Sequence, residues 1–283
     1  MKRVLIVPAA GRGSRLSASL PKLLVPVGGR PMIDLVLDRY AGVVDRAIVI
    51  VSPAAEVLVR KHFGAAELKF GPTGGGSKFG ATGGGSKSGP AAPVDIAVQA
   101  EPTGMLDAIL TPVAHVEALG PDWVWVTWCD QVAISDATVE RLVAAEAPPA
   151  PALSLATARL PHPYVHLVRD EQGRIVGVLQ EREGDVMPES GEADSGLFAM
   201  SAATYFVHLP AFAAGTVPGA GTGERNFLPF VPWMAGRGLV RTVPVGDAIE
   251  SVGINTPADL QRIEAHLAAR SSPDRAAAPT RHS

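Results

Sequence analysis

The residues best suited to chemistry stand near the start of the chain, where Val7-Pro-Ala-Ala-Gly-Arg-Gly-Ser-Arg-Leu16 is followed by Leu20-Pro-Lys22. An apolar run that ends in small residues and glycines exposes backbone N–H groups with no side chain in the way, which suits an oligophosphate. Ala9, Ala10, Gly11 and Gly13 form this expected cradle, and Arg15 and Lys22 add cationic charge beside it. A bare Gly-x-Gly is equally compatible with an ordinary strand-to-helix turn; Pro21-Lys22 at this offset favours phosphate. Asp130 follows the apolar run Trp123 to Thr127, at the carboxyl end of an expected strand, where a hard carboxylate suits Mg²⁺. Gln99 follows Ile96 to Val98 and can offer its amide to the edge of a base, with Gly104 leaving room for the ring.

Other chemistries find less support. Thr73-Gly-Gly-Gly-Ser-Lys78 recurs as Thr82-Gly-Gly-Gly-Ser-Lys87, but Ser86 stands between Gly85 and Lys87 and breaks the spacing a phosphate-binding P-loop requires. The stretch Gly71 to Pro93 reads instead as a flexible, solvated loop. The histidines (His62, His115, His162, His166, His208, His266 and His282) show no metal-ligand spacing and have no Ser or Cys partner in a nucleophile motif. Cys129 has no nameable base and is expected to be a small strand-end residue.

The elements that must position these groups follow a βαβα rhythm. Val4 to Val7, Ala47 to Val51, Ile96 to Gln99 and Trp123 to Thr127 read as strands. Met32 to Tyr40, Ala54 to Phe63, Gly104 to Glu117 and Asp136 to Glu146 read as helices, the last capped by Asp136. Further on, Ala152 to Ala158, Ser195 to Met200 and Leu239 to Val245 suggest strands, while Asn226 to Met234 and Pro257 to Ala268 suggest helices. Asp170-Glu-Gln-Gly173 joins Val165 to Arg169 with Ile175 to Leu179 as an antiparallel hairpin. The expected fold is α/β: a Rossmann-like, mostly parallel sheet flanked by helices, with an antiparallel substrate-binding hairpin region. One domain is expected over 1–268, with the insertion at 71–93 and a disordered tail at 269–283.

Composition narrows the partners. With 25 Lys and Arg against 28 Asp and Glu, the net charge is −3, so no basic excess exists to hold a nucleic acid backbone. One cysteine cannot build a disulfide framework, and the run Val4 to Ala10 is too short to cross a bilayer. That run leads straight into the glycine loop without a cleavage pattern, so it reads as a buried strand rather than a signal peptide. A cytoplasmic protein with no membrane or nucleic acid partner is expected; the oligomeric state stays open.

The opening Ala9-Ala-Gly-Arg-Gly-Ser-Arg-Leu16 and Pro21-Lys22, with Gln99-Ala-Glu-Pro-Thr-Gly104 and Cys129-Asp130, resemble the nucleotidyltransferase domain of the sugar-1-phosphate nucleotidyltransferases. In motif detail they are most like the N-terminal uridylyltransferase half of the N-acetylglucosamine-1-phosphate uridylyltransferases. The resemblance continues through Pro163-Tyr164, Gly173-Arg-Ile-Val-Gly177, Glu192-Ala-Asp-Ser-Gly196, Gly223-Glu224 and Gly253-Ile-Asn-Thr-Pro257. It implies Mg²⁺-dependent transfer of a nucleotidyl group from an NTP, UTP or dTTP by the pyrimidine-reading Gln99 segment, to a sugar 1-phosphate with release of pyrophosphate. It makes Arg15 and Lys22 the catalytic cations and Asn255 the second metal ligand after Asp130. Tyr164, Glu181, Asp194 and Glu224 become contacts to the substrates. Cytidylyl or guanylyl transfer on this fold, or a nucleotide-binding regulator without turnover, are the alternatives. The chain departs from the pattern at Pro163-Tyr-Val-His166, where the family has Gly-Tyr-Gly-Arg, and at Asp194-Ser-Gly196, where it has Asn-Thr-Gly. Its acidic sugar contact aligns near Gln180, with Glu181 adjacent. No hexapeptide repeat follows Ala268. A negative charge at Asp194 is expected to favour a hexose or amino-sugar 1-phosphate over N-acetylglucosamine 1-phosphate.

Overall fold

The computed structural model describes residues 1–11, 16, 20–64 and 92–271. Gly13, Arg15, most of the Gly71 to Pro93 stretch and residues 272–283 of the expected tail lie outside the described residues. The strands are β1 (Arg3–Pro8), β2 (Pro26–Val27), β3 (Arg30–Pro31), β4 (Arg46–Val51), β5 (Val94–Val98), β6 (Trp123–Thr127), β7 (Leu153–Pro161), β8 (Val165–Arg169), β9 (Ile175–Gln180), β10 (Ser190–Ser201) and β11 (Val240–Pro244). The α-helices are α1 (Met32–Tyr40), α2 (Pro53–Phe63), α3 (Met105–Leu110), α4 (Val113–Leu119), α5 (Asp136–Ala145), α6 (Leu209–Ala214), α7 (Phe230–Ala235) and α8 (Pro257–Ser271).

Seven strands form one sheet in the order β11-β7-β10-β6-β1-β4-β5. β6, β1, β4 and β5 run parallel, as do β11 and β7, and only β10 opposes both its neighbours. The expected mostly parallel α/β fold is therefore the observed one. The inner strands β1, β4 and β6 carry continuous apolar runs because both faces of the sheet are covered there. Leu5 and Val7 of β1 join the core on one side with Trp125, while Val4 and Ile6 join the other with Val124 and Val126. Each such side chain contributes about 1.5–3 kcal/mol on leaving water. The expected antiparallel hairpin is β8–β9, a separate two-stranded sheet.

Three local expectations give way to the structure. Gly104 to Glu117 is two helices rather than one, because Pro112 cannot donate an N–H to the helical ladder and sits instead as the N-cap of α4. α7 starts at Phe230, after Pro229, rather than at Asn226. α5 is capped by Ser135, whose hydroxyl accepts the Thr138 N–H at 3.2 Å. Asp136 occupies the first helical turn, where its carboxylate complements the helix dipole and pairs with Arg39 at 2.5 Å.

Candidate active site

The site is built where β1, β4, β5 and β6 end, the edge at which open α/β sheets collect ligands. Three of the expected residues meet there from distant parts of the chain. Lys22 Nζ donates to Asp130 Oδ2 at 2.5 Å and to Asn255 Oδ1 at 2.8 Å. Each is held by local structure. Lys22 opens a 3-10 turn pinned by the fully buried Leu23, with the Leu24 N–H donating to Pro21 O at 2.8 Å. Asp130 lies in the turn after β6, its carbonyl accepting the Ile254 N–H at 3.3 Å. Asn255 lies two residues before the start of α8. Its N–H and that of Thr256 donate to Asp259 Oδ2 at 3.0 and 2.8 Å, and the Thr256 hydroxyl accepts the Asp259 N–H in return. Pro257 then starts the helix where no N–H is needed. Gly253 has a direct role: a Cβ there would stand 3.1 Å from Asp130 Oδ2, tighter than ordinary contact.

A cleft opens at the ends of β1 and β5, with Ala10, Gly11, Gln99, Gly104, Met105 and Glu224 in its wall. Gln99 is 7% exposed and its Nε2 donates to Gly104 O at 3.2 Å. Gly104 has φ 126°, and a Cβ on it would lie 2.5 Å from the backbone of Arg225. Its missing side chain thus admits the backbone of the loop at Arg225 as much as the expected ring. Ala9 differs from Ala10 and Gly11: its N–H donates to Ile50 O at 2.7 Å, so the sheet and not a phosphate uses that donor. Gly13 and Arg15 lie outside the described residues.

The remaining expected contacts occupy the hairpin side. Tyr164 is exposed and its carbonyl accepts the Glu181 N–H at 3.1 Å. Asp194 sits at a bulge in β10, where it accepts the Gly196 N–H at 3.0 Å. Desolvation raises its carboxyl to about 6, against the lowering effect of this bond and of the Trp128 indole. Its oxygens are engaged within the protein rather than offered outright to a sugar. Cys129 is buried, and burial with Asp130 alongside pushes its thiol up to about 12, so it stays protonated.

Two features escaped sequence reasoning. The adjacent Glu181 resembled the family contact, yet Glu183 does more locally. It accepts from the Thr222 hydroxyl at 2.6 Å, Asn226 Nδ2 at 2.8 Å and the Gly221 N–H at 2.9 Å. Desolvation opposes ionisation, but these donors win and lower it to about 2. Together with the Arg182–Glu224 pair at 2.9 Å, this ties the turn after β9 to the loop carrying Glu224 into the cleft. Gln131, next to Asp130, is 7% exposed, and its Oε1 is buried without a hydrogen-bond partner among the described residues. No spacing rule marks Glu183, since its partners come from far along the chain.

A family model described as MobA-like NTP transferase domain matches residues 5–187. The chain belongs to this family, and it is a nucleotidyltransferase. Lys22, Gln99, Asp130, Tyr164 and Glu181 fall inside the matched span; Asp194, Glu224 and Asn255 lie beyond it. Among curated proteins it is similar to the Bifunctional protein GlmU of several bacteria. It is 25% identical to that of Pseudomonas aeruginosa PAO1 over 270 residues, 94% of this chain and 52% of the relative. For Acidovorax ebreus the identity is 28% over 274 residues, 95% of this chain and 52% of the relative. The Alcanivorax borkumensis protein is 26% identical over 266 residues, 93% and 52%. The chain thus spans about half the length of the curated relatives it matches. No helix among the described residues is long and apolar enough to cross a membrane.

Proposed function

We propose that this nucleotidyltransferase moves a uridylyl or thymidylyl group from UTP or dTTP to a sugar 1-phosphate, releasing pyrophosphate, and that it requires Mg²⁺. The reading rests above all on the convergence of Lys22, Asp130 and Asn255 at the strand-end edge of the sheet, where a cleft at the ends of β1 and β5 carries Gln99 and Gly104. Attack of one phosphate on another brings two anions together, so the site must supply positive charge where negative charge concentrates. The Lys22 ammonium does this from the strand-end edge, and Arg15 is proposed to assist from the opening loop.

Asp130 and Asn255 would hold the metal. Both offer oxygen, and both already accept from a cation in this structure, as a hard divalent ion requires. Two protein oxygens would leave the rest of the shell to water and substrate phosphates, a pattern suited to Mg²⁺. When bound, the ion supplies charge neutralisation for the phosphates.

Base choice follows from one hydrogen bond. Gly104 O can only accept, so Gln99 must turn its Nε2 towards it, which leaves the Oε1 acceptor as the end available to a base. Uracil and thymine present an N–H donor at N3; cytosine presents an acceptor there and would be repelled. Tyr164, Glu181, Asp194 and Glu224 are proposed to line the substrates, with the engaged carboxylate of Asp194 disfavouring an N-acetyl carbonyl. The test is pyrophosphate release from UTP, dTTP, CTP and GTP against hexose, amino-sugar and N-acetylamino-sugar 1-phosphates, with and without Mg²⁺. Turnover confined to the two N3–H pyrimidines and dependent on metal is expected. Preference for CTP or GTP would overturn the base assignment, and metal-independent turnover the roles of Asp130 and Asn255.

A further inference from the structure

Lys22 does not reach into open solvent. Its ammonium bridges the two oxygens proposed as metal ligands, with side-chain exposures of 17% for Lys22 and 14% for Asp130. Those oxygens are not free to follow a moving cation. Asn255 Nδ2 donates to Gly253 O at 3.3 Å, which turns Oδ1 towards Lys22, and its backbone is fixed by Asp259. Asp130 is packed against Gly253 and bonded through its carbonyl to Ile254. The rigid pair therefore offers one seat for positive charge. Lysine, a single charge on a flexible four-carbon stem, is the member of the trio that can leave.

We infer that Lys22 is a built-in competitor for the divalent cation. In the absence of nucleotide its ammonium occupies the oxygens that the metal needs, and the triphosphate relieves this by giving the ammonium another anion to bond. Metal and nucleotide then bind with positive coupling, and by linkage each tightens the other by the same factor. The inference rests on the reading of Asp130 and Asn255 as metal ligands, and the experiment separates the two.

Binding of Mn²⁺ is measured by electron paramagnetic resonance on the full chain, with and without an α,β-non-hydrolysable UTP analogue. Wild type, Lys22→Met, Lys22→Arg and Asp130→Ala are compared, each first checked by thermal melting. Without nucleotide, Lys22→Met is expected to bind Mn²⁺ about tenfold more tightly than wild type, the size of one charge-assisted hydrogen bond no longer competed for. Lys22→Arg keeps the charge and is expected to stay weak. The enhancement of Mn²⁺ affinity by the analogue should shrink in Lys22→Met by a similar factor. If Lys22→Met binds no better than wild type while Asp130→Ala abolishes binding, the competition is overturned and the metal site stands. If Mn²⁺ binding is indifferent to Asp130→Ala, both fall.

Discussion

The parallel sheet carries cation–carboxylate clusters at both ends of its strands, and they are built to opposite specifications. At the strand starts, Arg3 reaches Glu146 through Nε and Nη2, the latter at 2.7 Å, and the Trp125 indole donates to the same carboxylate at 2.8 Å. Nearby in the sheet, Arg46 Nη1 lies 2.9 Å from both oxygens of Asp95, which His115 Nε2 also approaches at 2.7 Å. The Glu146 side chain is fully buried and that of Asp95 is 5% exposed. The Arg3 guanidinium fork, and Arg46 Nη1 shared between both Asp95 oxygens, engage carboxylates largely shielded from water, so the pairs are fixed parts of the fold. At the strand ends, a lysine meets a carboxylate and an amide that remain partly open. Saturated pairs hold structure, whereas the more open pair at the strand ends is the one proposed to take part in chemistry.

The contrast is tested most severely by Asp130→Ala. Turnover should fall by about 10³-fold or more, as for loss of a principal charge-stabilising group, with the melting temperature close to wild type. Retained activity measured by pyrophosphate release would remove the functional end of the comparison. Arg3→Ala should do the reverse. Among the described residues it leaves Glu146 buried with only the Trp125 indole as a side-chain partner, at a cost of about 3 kcal/mol in stability, while kcat of the folded enzyme stays unchanged. Denaturant unfolding checks the first half, and a fall in kcat without loss of stability would erase the distinction.

Lys22→Ala should lower the single-turnover rate constant by about 10²-fold, roughly 2.7 kcal/mol, with a smaller effect on nucleotide affinity. An unchanged rate constant with weaker affinity would make Lys22 a binding residue. Gln99→Ala should erode the preference for UTP over CTP in kcat/KM by about 1–2 kcal/mol, since the acceptor that distinguishes the two N3 positions is gone; an unaltered ratio would place base choice elsewhere. The smallest effect concerns Asp194. Its folded-state carboxyl, raised to about 6, binds a proton more firmly than in the unfolded chain, so its ionisation weakens the fold as pH rises through 6. Asp194→Asn should therefore stabilise by about 1 kcal/mol at pH 8, with the gain shrinking towards pH 4. A gain that instead grows on acidification would show that the ionised form is the favoured one.

Much of the framework could be read from residue order alone. The runs of β1, β4 and β6 are apolar without alternation because both sheet faces are covered, and that pattern needs no knowledge of partners. Gln99 was legible because it directly follows the β5 run, Asp130 because it stands three residues beyond the β6 run, and Asn255 because a family motif surrounds it. Helix ends were less legible where proline competed with apolar spacing, as at Pro112 and Pro229, since a break depends on one missing N–H rather than on the pattern around it.

Tertiary structure decided how these residues are used. Spacing could place Lys22 near a phosphate loop but not on Asp130 and Asn255, which requires the turn after β6 and the start of α8 to be brought together. It could mark Gly104 as small but not as the residue against which the Arg225 backbone lies. Glu183 carried no sequence signal, because the donors that saturate it, Thr222 and Asn226, come from a distant segment. Sequence by itself determined the covered parallel sheet and the chemical types present at its carboxyl edge, since hydrophobic period and residue chemistry are local properties. Which donor meets which acceptor, and which carboxylate is locked or exchangeable, is a property of long-range contacts, and only the folded chain fixes it.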